Sequence, residues 1–152
     1  MKKSFLVLIC VVFVAAVIAV GLYGLKYDSY YEVIYPTSIK CDKYRIGDGE
    51  LISFKVPTSP SMGYDYYTTV KAEGATMQVI SLVPTVYPTN ATETSCTLTL
   101  ARECSGVTVD SETKTITIDY AECPTQDFSF QVTVISNHDT SLQQTILFRV
   151  KK

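Results

Sequence analysis

The stretch from Phe5 to Leu25, FLVLICVVFVAAVIAVGLYGL, constrains this chain more than any other feature, because its 21 residues carry no charge. About 20 such residues in a helix match the hydrocarbon core of a bilayer. A lone segment in lipid has to be helical, since only a helix satisfies every backbone polar group internally. Lys2 and Lys3 precede the run, and Lys26 and Asp28 follow it. That charge bias predicts an N-terminus in the cytoplasm and everything beyond Lys26 outside, in a single-pass protein of the cell membrane. Ala19-Val20-Gly21 also offers the small residues of a signal cleavage site after Gly21, which would release a secreted product; the length of the apolar run favours retention. Residues 1–25 are therefore expected to be a transmembrane anchor or signal segment, with membrane contact through residues 5–25, and both alternatives export the rest.

Cysteine usage agrees with export. Cys10 lies inside the apolar run and reads as a small hydrophobe. Cys41, Cys96, Cys104 and Cys123 remain, and four cysteines in an exported domain read as two disulfides. Three pairings are possible; the expectation is Cys96–Cys104 as a short local loop and Cys41–Cys123 as a long-range tie. Zinc is disfavoured, because no C-x-x-C spacing occurs and His138 is the single histidine. Asn90-Ala91-Thr92 is a glycosylation sequon, open to use only outside the cytoplasm.

Beyond Lys26 the hydrophobic period changes from that of a helix to two. ELISFKV (50–56) puts Ile52, Phe54 and Val56 on one face, CTLTLA (96–101) aligns Cys96, Leu98 and Leu100, and TITIDY (115–120) aligns Ile116, Ile118 and Tyr120. FSFQVTVI (128–135) aligns Phe128, Phe130, Val132 and Val134, while YYEVIY (30–35), YDYYTTVK (64–71), TMQVISLV (76–83) and TILFRV (145–150) complete the set. Alternation predicts strands with one buried face. Turn formers such as Gly47-Asp48-Gly49, Ser59-Pro60-Ser61, Glu73-Gly74, Ser105-Gly106 and Asn137-His138-Asp139 separate them. The expected fold is all-β: an Ig-like antiparallel β-sandwich of 7–8 strands over residues 39–152, preceded by one N-terminal hydrophobic helix, with 26–38 as a stalk or first edge strand.

Chemistry is sparse. The net charge of −2 excludes an electrostatic footprint for nucleic acid. His138 sits in a turn, and Asp110, Glu112, Asp119, Glu122 and Asp127 are scattered carboxylates without a fixed geometry. No phosphate loop or calcium loop occurs, and no cofactor is implied. The expectation is a non-catalytic protein. Eleven tyrosines and no tryptophan suit either protein contacts or ordinary strand positions.

One stretch stands apart. Gly49-Glu50 opens a strand ending at Val56-Pro57, followed by Ser59-Pro60-Ser61-Met62-Gly63-Tyr64 and, two residues on, Tyr66. Over roughly residues 40–135 this resembles the chagasin family, Ig-like inhibitors of papain-type cysteine peptidases, whose loop reads Asn-Pro-Thr-Thr-Gly, an aromatic, and then Trp. Ile118-Asp119-Tyr120-Ala121-Glu122-Cys123-Pro124 resembles the family's later strand and its Arg-Pro-Trp loop, with Glu122 and Cys123 near the Arg-Pro position. The resemblance implies binding through Ser59, Pro60, Ser61, Met62, Gly63, Tyr64 and Tyr66, together with Tyr120, Glu122 and Pro124. A hydrophobic helix followed by a β-domain also resembles archaeal type IV pilins in architecture. The expected partner is thus another extracytoplasmic protein: a subunit of a complex, a peptidase, or copies of this chain in a filament.

Overall fold

The computed structural model describes residues 3–27 and 32–152. The chain divides after Val33 into two units. The first holds α1 (Lys3–Tyr27), 25 residues long, or about 37 Å at 1.5 Å per residue. Its described side chains from Phe5 to Leu22 are apolar and exposed, so the helix has no polar stripe. Among the described residues no helix is long and apolar enough to qualify as a membrane crossing; the case for one rests on the uncharged run of the full sequence. Tyr30 and Tyr31, the start of one expected strand, lie outside the described residues.

The second unit is built of strands: β1 (Ser38–Lys40), β2 (Lys43–Ile46), β3 (Ile52–Ser53), β4 (Tyr66–Lys71), β5 (Met77–Leu82), β6 (Thr85–Tyr87), β7 (Cys96–Leu100), β8 (Val107–Asp110), β9 (Thr115–Asp119), β10 (Phe128–Ser136) and β11 (Gln143–Lys151). They form a four-stranded sheet, β4-β11-β10-β7, a five-stranded sheet, β3-β2-β5-β9-β8, and the small pair β1-β6. Every strand pair but one is antiparallel among the described residues. The exception corrects the all-antiparallel expectation: β4 runs parallel to β11, with Tyr66 opposite Ile146 and Lys71 opposite Lys151. The β10–β11 hairpin organises its sheet. Its register runs from Phe128 opposite Val150 to Ile135 opposite Gln143, and its turn is held by Asp139, whose carboxylate accepts the Ser141 N–H at 2.9 Å.

Period-two patterning sets which side chains are buried. Phe130, Val132 and Val134 face in from β10, and Ile146, Phe148 and Val150 from β11. They join Tyr44, Ile80, Leu82, Val107, Ile116 and Ile118 of the five-stranded sheet in one core. Each such side chain, when fully buried, contributes about 1.5–3 kcal/mol. Phe148 stacks on Phe130 with centroids 5.1 Å apart and meets Phe54 edge-on at 5.7 Å. Buried Tyr44 shares a 2.8 Å hydrogen bond with Thr68 of the other sheet.

The expected inward row Ile52, Phe54, Val56 is not observed. Phe54 is 7 % exposed, but Ile52 is 41 % and Val56 69 % exposed. The reason is a change of sheet. Ile52 and Ser53 pair with β2, whereas Lys55 bridges to Tyr67 of β4. The chain crosses between sheets at Phe54, and alternation along a single sheet stops there. Residues 32–37 are irregular rather than a strand. They are tied to the segment 87–92: the Thr92 N–H bonds the Ile34 carbonyl at 2.9 Å, and the Thr37 N–H bonds the Tyr87 carbonyl at 2.7 Å.

Candidate functional site

The turn after Pro57 is locally determined. Ser59, restricted by the following proline, is extended at φ −132°. Pro60–Met62 forms one 3₁₀ turn, and Gly63 ends it at φ 75°, a left-handed conformation that glycine adopts without penalty. Ser59 and Ser61 share a 2.8 Å hydrogen bond between their hydroxyls. Asp65 then fastens the turn to β11 twice: its N–H bonds the Thr145 carbonyl at 2.8 Å, and its carboxylate accepts the Thr145 N–H at 2.7 Å.

An aromatic and cationic cluster adjoins this turn. Tyr64 donates to the Met62 sulfur at 3.0 Å and meets Tyr67 edge-on at 6.2 Å. The Arg149 guanidinium lies 5.1 Å from the Tyr67 ring centroid and donates to the Tyr64 hydroxyl at 3.4 Å. Parallel register puts Tyr67 beside Leu147 and Thr69 beside Arg149, so the outward positions of β4 and β11 build this cluster jointly. Arg149 and Met62 are exposed, and Tyr64 and Tyr67 are half-buried. Sequence reasoning missed Tyr67 and Arg149. The available signal was Arg149 itself, a lone charge between the inward Phe148 and Val150.

Tyr66 belongs elsewhere. Alternation turns it inward, against Phe54 at 6.2 Å and the core. Tyr120 is also a core residue, 7 % exposed, with its hydroxyl on the Gln78 carboxamide. Glu122 and Pro124 are exposed in the turn that follows. That turn lies at the end of β11, where the Lys152 ammonium donates to the Tyr120 and Cys123 carbonyls at 3.0 and 3.3 Å. The Ser59–Tyr64 turn lies at the start of β11, beside Thr145. Seven strand residues put roughly 23 Å between the two, so they do not form one wedge.

The remaining candidates are turn residues. His138 is exposed and stacks on Tyr35 with centroids 5.2 Å apart. Asp110 caps its own turn, accepting the Thr113 hydroxyl at 2.7 Å and the Glu112 N–H at 2.8 Å; these bonds hold its carboxyl below the ordinary carboxylate range. Asp119 accepts the Ala121 N–H at 3.0 Å, and Asp127 accepts the Lys152 N–H at 3.1 Å. Among the described residues no three His, Cys, Asp or Glu side chains are grouped to hold a metal ion. Asn90 is exposed in a turn after the cis Tyr87–Pro88 bond, and its sequon partner Thr92 accepts the Ile34 N–H at 3.0 Å.

The expected cysteine partners are not brought together. All five cysteines are thiols in this structure. The Cys41 N–H bonds the Gln144 side chain at the start of β11, while the Cys123 carbonyl is held by Lys152 at its end. Eight residues of strand span about 26 Å. Cys96 opens β7 and Cys104 lies past its far end, beside the start of β8. No family model and no curated protein matches this sequence.

Proposed function

We propose that this chain is a membrane-anchored, extracytoplasmic, non-catalytic binding module that presents the Ser59–Tyr67 turn and Arg149 to another exported protein. The N-terminal helix crosses the membrane with Lys2 and Lys3 inside and Lys26 outside, and residues 34–152 form an Ig-like β-sandwich outside, glycosylated at Asn90 where the host permits. Support for the sandwich comes from two sheets whose inner faces feed one core. Support for export comes from the charge bias around the uncharged run and from the four cysteines beyond it.

The observation that carries the binding role is a pinned turn beside the half-buried Tyr64 and Tyr67 and the exposed Arg149. The 3₁₀ turn is pinned to β11 through Asp65, so ordering it costs little on association. Tyrosine and arginine are enriched among the residues that dominate interface energetics, and Arg149 is held over Tyr67 while exposed, where a partner carboxylate could pair with it. Among the described residues nothing comparable surrounds Glu122 and Pro124, and no observation favours the peptidase-inhibitor or filament readings over this one.

The test is site-specific photocrosslinking in the full chain in its native membrane, with the photoreactive residue at Met62 or, as control, at Val79 on the five-stranded sheet. One dominant adduct from position 62, reduced at least tenfold by Tyr64→Ala combined with Arg149→Ala, supports the reading. No adduct from position 62, or the same adduct from position 79, refutes it.

A further inference from the structure

The hydrogen bonds around the four cysteines beyond the helix group them at two ends of the β unit, and this grouping differs from the pairing expected from the sequence. Cys104 and Cys123 lie in segments joined by hydrogen bonds and one close approach. The Ser105 hydroxyl donates to the Glu122 carbonyl at 2.9 Å. The Asp119 N–H bonds the Gly106 carbonyl at 2.7 Å, and the Cys123 N–H bonds the Asp119 carbonyl at 3.1 Å. Gly106 packs so closely on Cys123 that a Cβ there would stand 2.7 Å from the Cys123 sulfur. The residue two before Gly106 is Cys104, whose carbonyl accepts the Val107 N–H at 3.0 Å and folds the segment back on itself.

Cys41 and Cys96 both lie at the opposite end. Cys41 is fully buried and Cys96 is 4 % exposed. The Cys41 N–H bonds the Gln144 side chain. Gln144 pairs with Val134, Val134 with Leu98, and Cys96 with Ser136 at the same end of the sheet. On the other side, the Leu82 N–H bonds the Lys114 carbonyl at 2.9 Å, and the Lys114 ammonium reaches the Cys96 carbonyl. The Cys41 sulfur also faces the Val83 backbone.

We infer that Cys41 bonds to Cys96 and Cys104 to Cys123, so that two disulfides clamp the opposite ends of the β unit. A disulfide requires Cα atoms within about 7 Å. Both alternative pairings need bonds between the two ends, across the length of the sheets. The thiol environments agree: burial and then the neighbouring Cys96 push the Cys41 thiol up to about 12, and burial and then the neighbouring Cys104 raise that of Cys123.

The inference rests on the export reading for its oxidant, which is an external disulfide, either a small molecule or an oxidoreductase. One cysteine thiolate attacks it, forming a mixed disulfide and releasing one thiol. The second cysteine displaces the other thiol. Each protein disulfide formed thus gives up two protons and two electrons to the external pair.

Trypsin separates the four cysteines cleanly, into peptides 41–43, 72–102, 103–114 and 115–149. The reduced, purified full chain is folded in detergent, oxidised with glutathione disulfide, blocked with N-ethylmaleimide and digested without reduction. The expected mass spectrum shows 41–43 linked to 72–102 and 103–114 linked to 115–149, with Cys10 alkylated. In Cys104→Ser the single new alkylation should fall on Cys123. A link between 41–43 and 115–149 or between 72–102 and 103–114, or a new alkylation at Cys96 in Cys104→Ser, overturns the inference. The same digest of chain blocked directly in native membranes tests export separately: free thiols there, with correct links after glutathione, would refute the compartment and leave the pairing standing.

Discussion

Replacing Phe148 by alanine removes the ring that joins the two sheets. Its side chain is fully buried, stacked on its cross-strand partner Phe130 at 5.1 Å and 7° and met by the edge of Phe54 at 5.7 Å. Phe-to-Ala changes in cores cost about 3–5 kcal/mol, and the cost rises with the cavity left behind. The cavity here persists, because Phe130 is fixed in a nine-residue strand and Phe54 sits at the crossing between sheets. The expected loss is therefore in the upper half of that range, about 4–5 kcal/mol, against a typical total stability of about 5–15 kcal/mol. Tyrosine fluorescence reports unfolding without tryptophan interference, since the chain has eleven Tyr and no Trp. In urea, with an m value of about 1.5 kcal/mol/M, the midpoint of the β unit in the detergent-solubilised full chain should fall by about 3 M. A double-mutant cycle with Phe130→Leu should return a coupling of about 0.5–1.5 kcal/mol for the stacked pair. A loss below about 1.5 kcal/mol with an unchanged m value would mean that Phe148 does not link the sheets, and the shared core would be refuted.

Glycine substitutions separate strain from collision. Gly47→Ala, at φ 52° with open space around it, should cost about 1 kcal/mol, whereas Gly106→Ala adds contacts of 2.5 Å to the Asp119 carbonyl and 2.7 Å to Cys123 and should cost at least twice as much; equal urea midpoints would refute the close approach. The Ser111 hydroxyl receives the Leu98 N–H at 3.0 Å and donates to the Leu98 carbonyl at 2.8 Å, covering the free edge of β7, so Ser111→Ala should cost about 1–2 kcal/mol and speed hydrogen exchange at Leu98, and unchanged exchange there would exclude the cap. With its thiols reduced, the protein should lose stability at high pH. Burial raises the folded Cys41 thiol to about 12 from an ordinary 9.0, so its contribution is complete below pH 9 and disappears as pH climbs through 12; the urea midpoint should drop between pH 8.5 and 10.5, and drop less in Cys41→Ala, with equal drops counting against a buried thiol.

The sequence by itself determined the all-β class and most of the long strands, because period-two burial is a local property of a chain lying on one sheet. TITIDY and FSFQVTVI became β9 and β10 with the expected residues inward. Gly63 was legible too, since a turn that needs positive φ selects glycine locally. Strands β2 and β8, four residues each, were not legible. Their alternation is too short to register, and neighbouring strands rather than propensity hold them in place. Ile52 and Val56 misled for a related reason: alternation cannot report that a chain changes sheets between them. The contacts of the proposed binding site depended most on the tertiary structure. Tyr67 and Arg149 stand 82 positions apart in sequence, and only the parallel pairing of β4 with β11 puts the cation over the ring. The inferred cysteine partners likewise follow from which strand ends lie together. Spacing along the chain suggested a short Cys96–Cys104 loop, but a strand is stiff and extended, and it carries residues close in sequence to opposite ends of the fold.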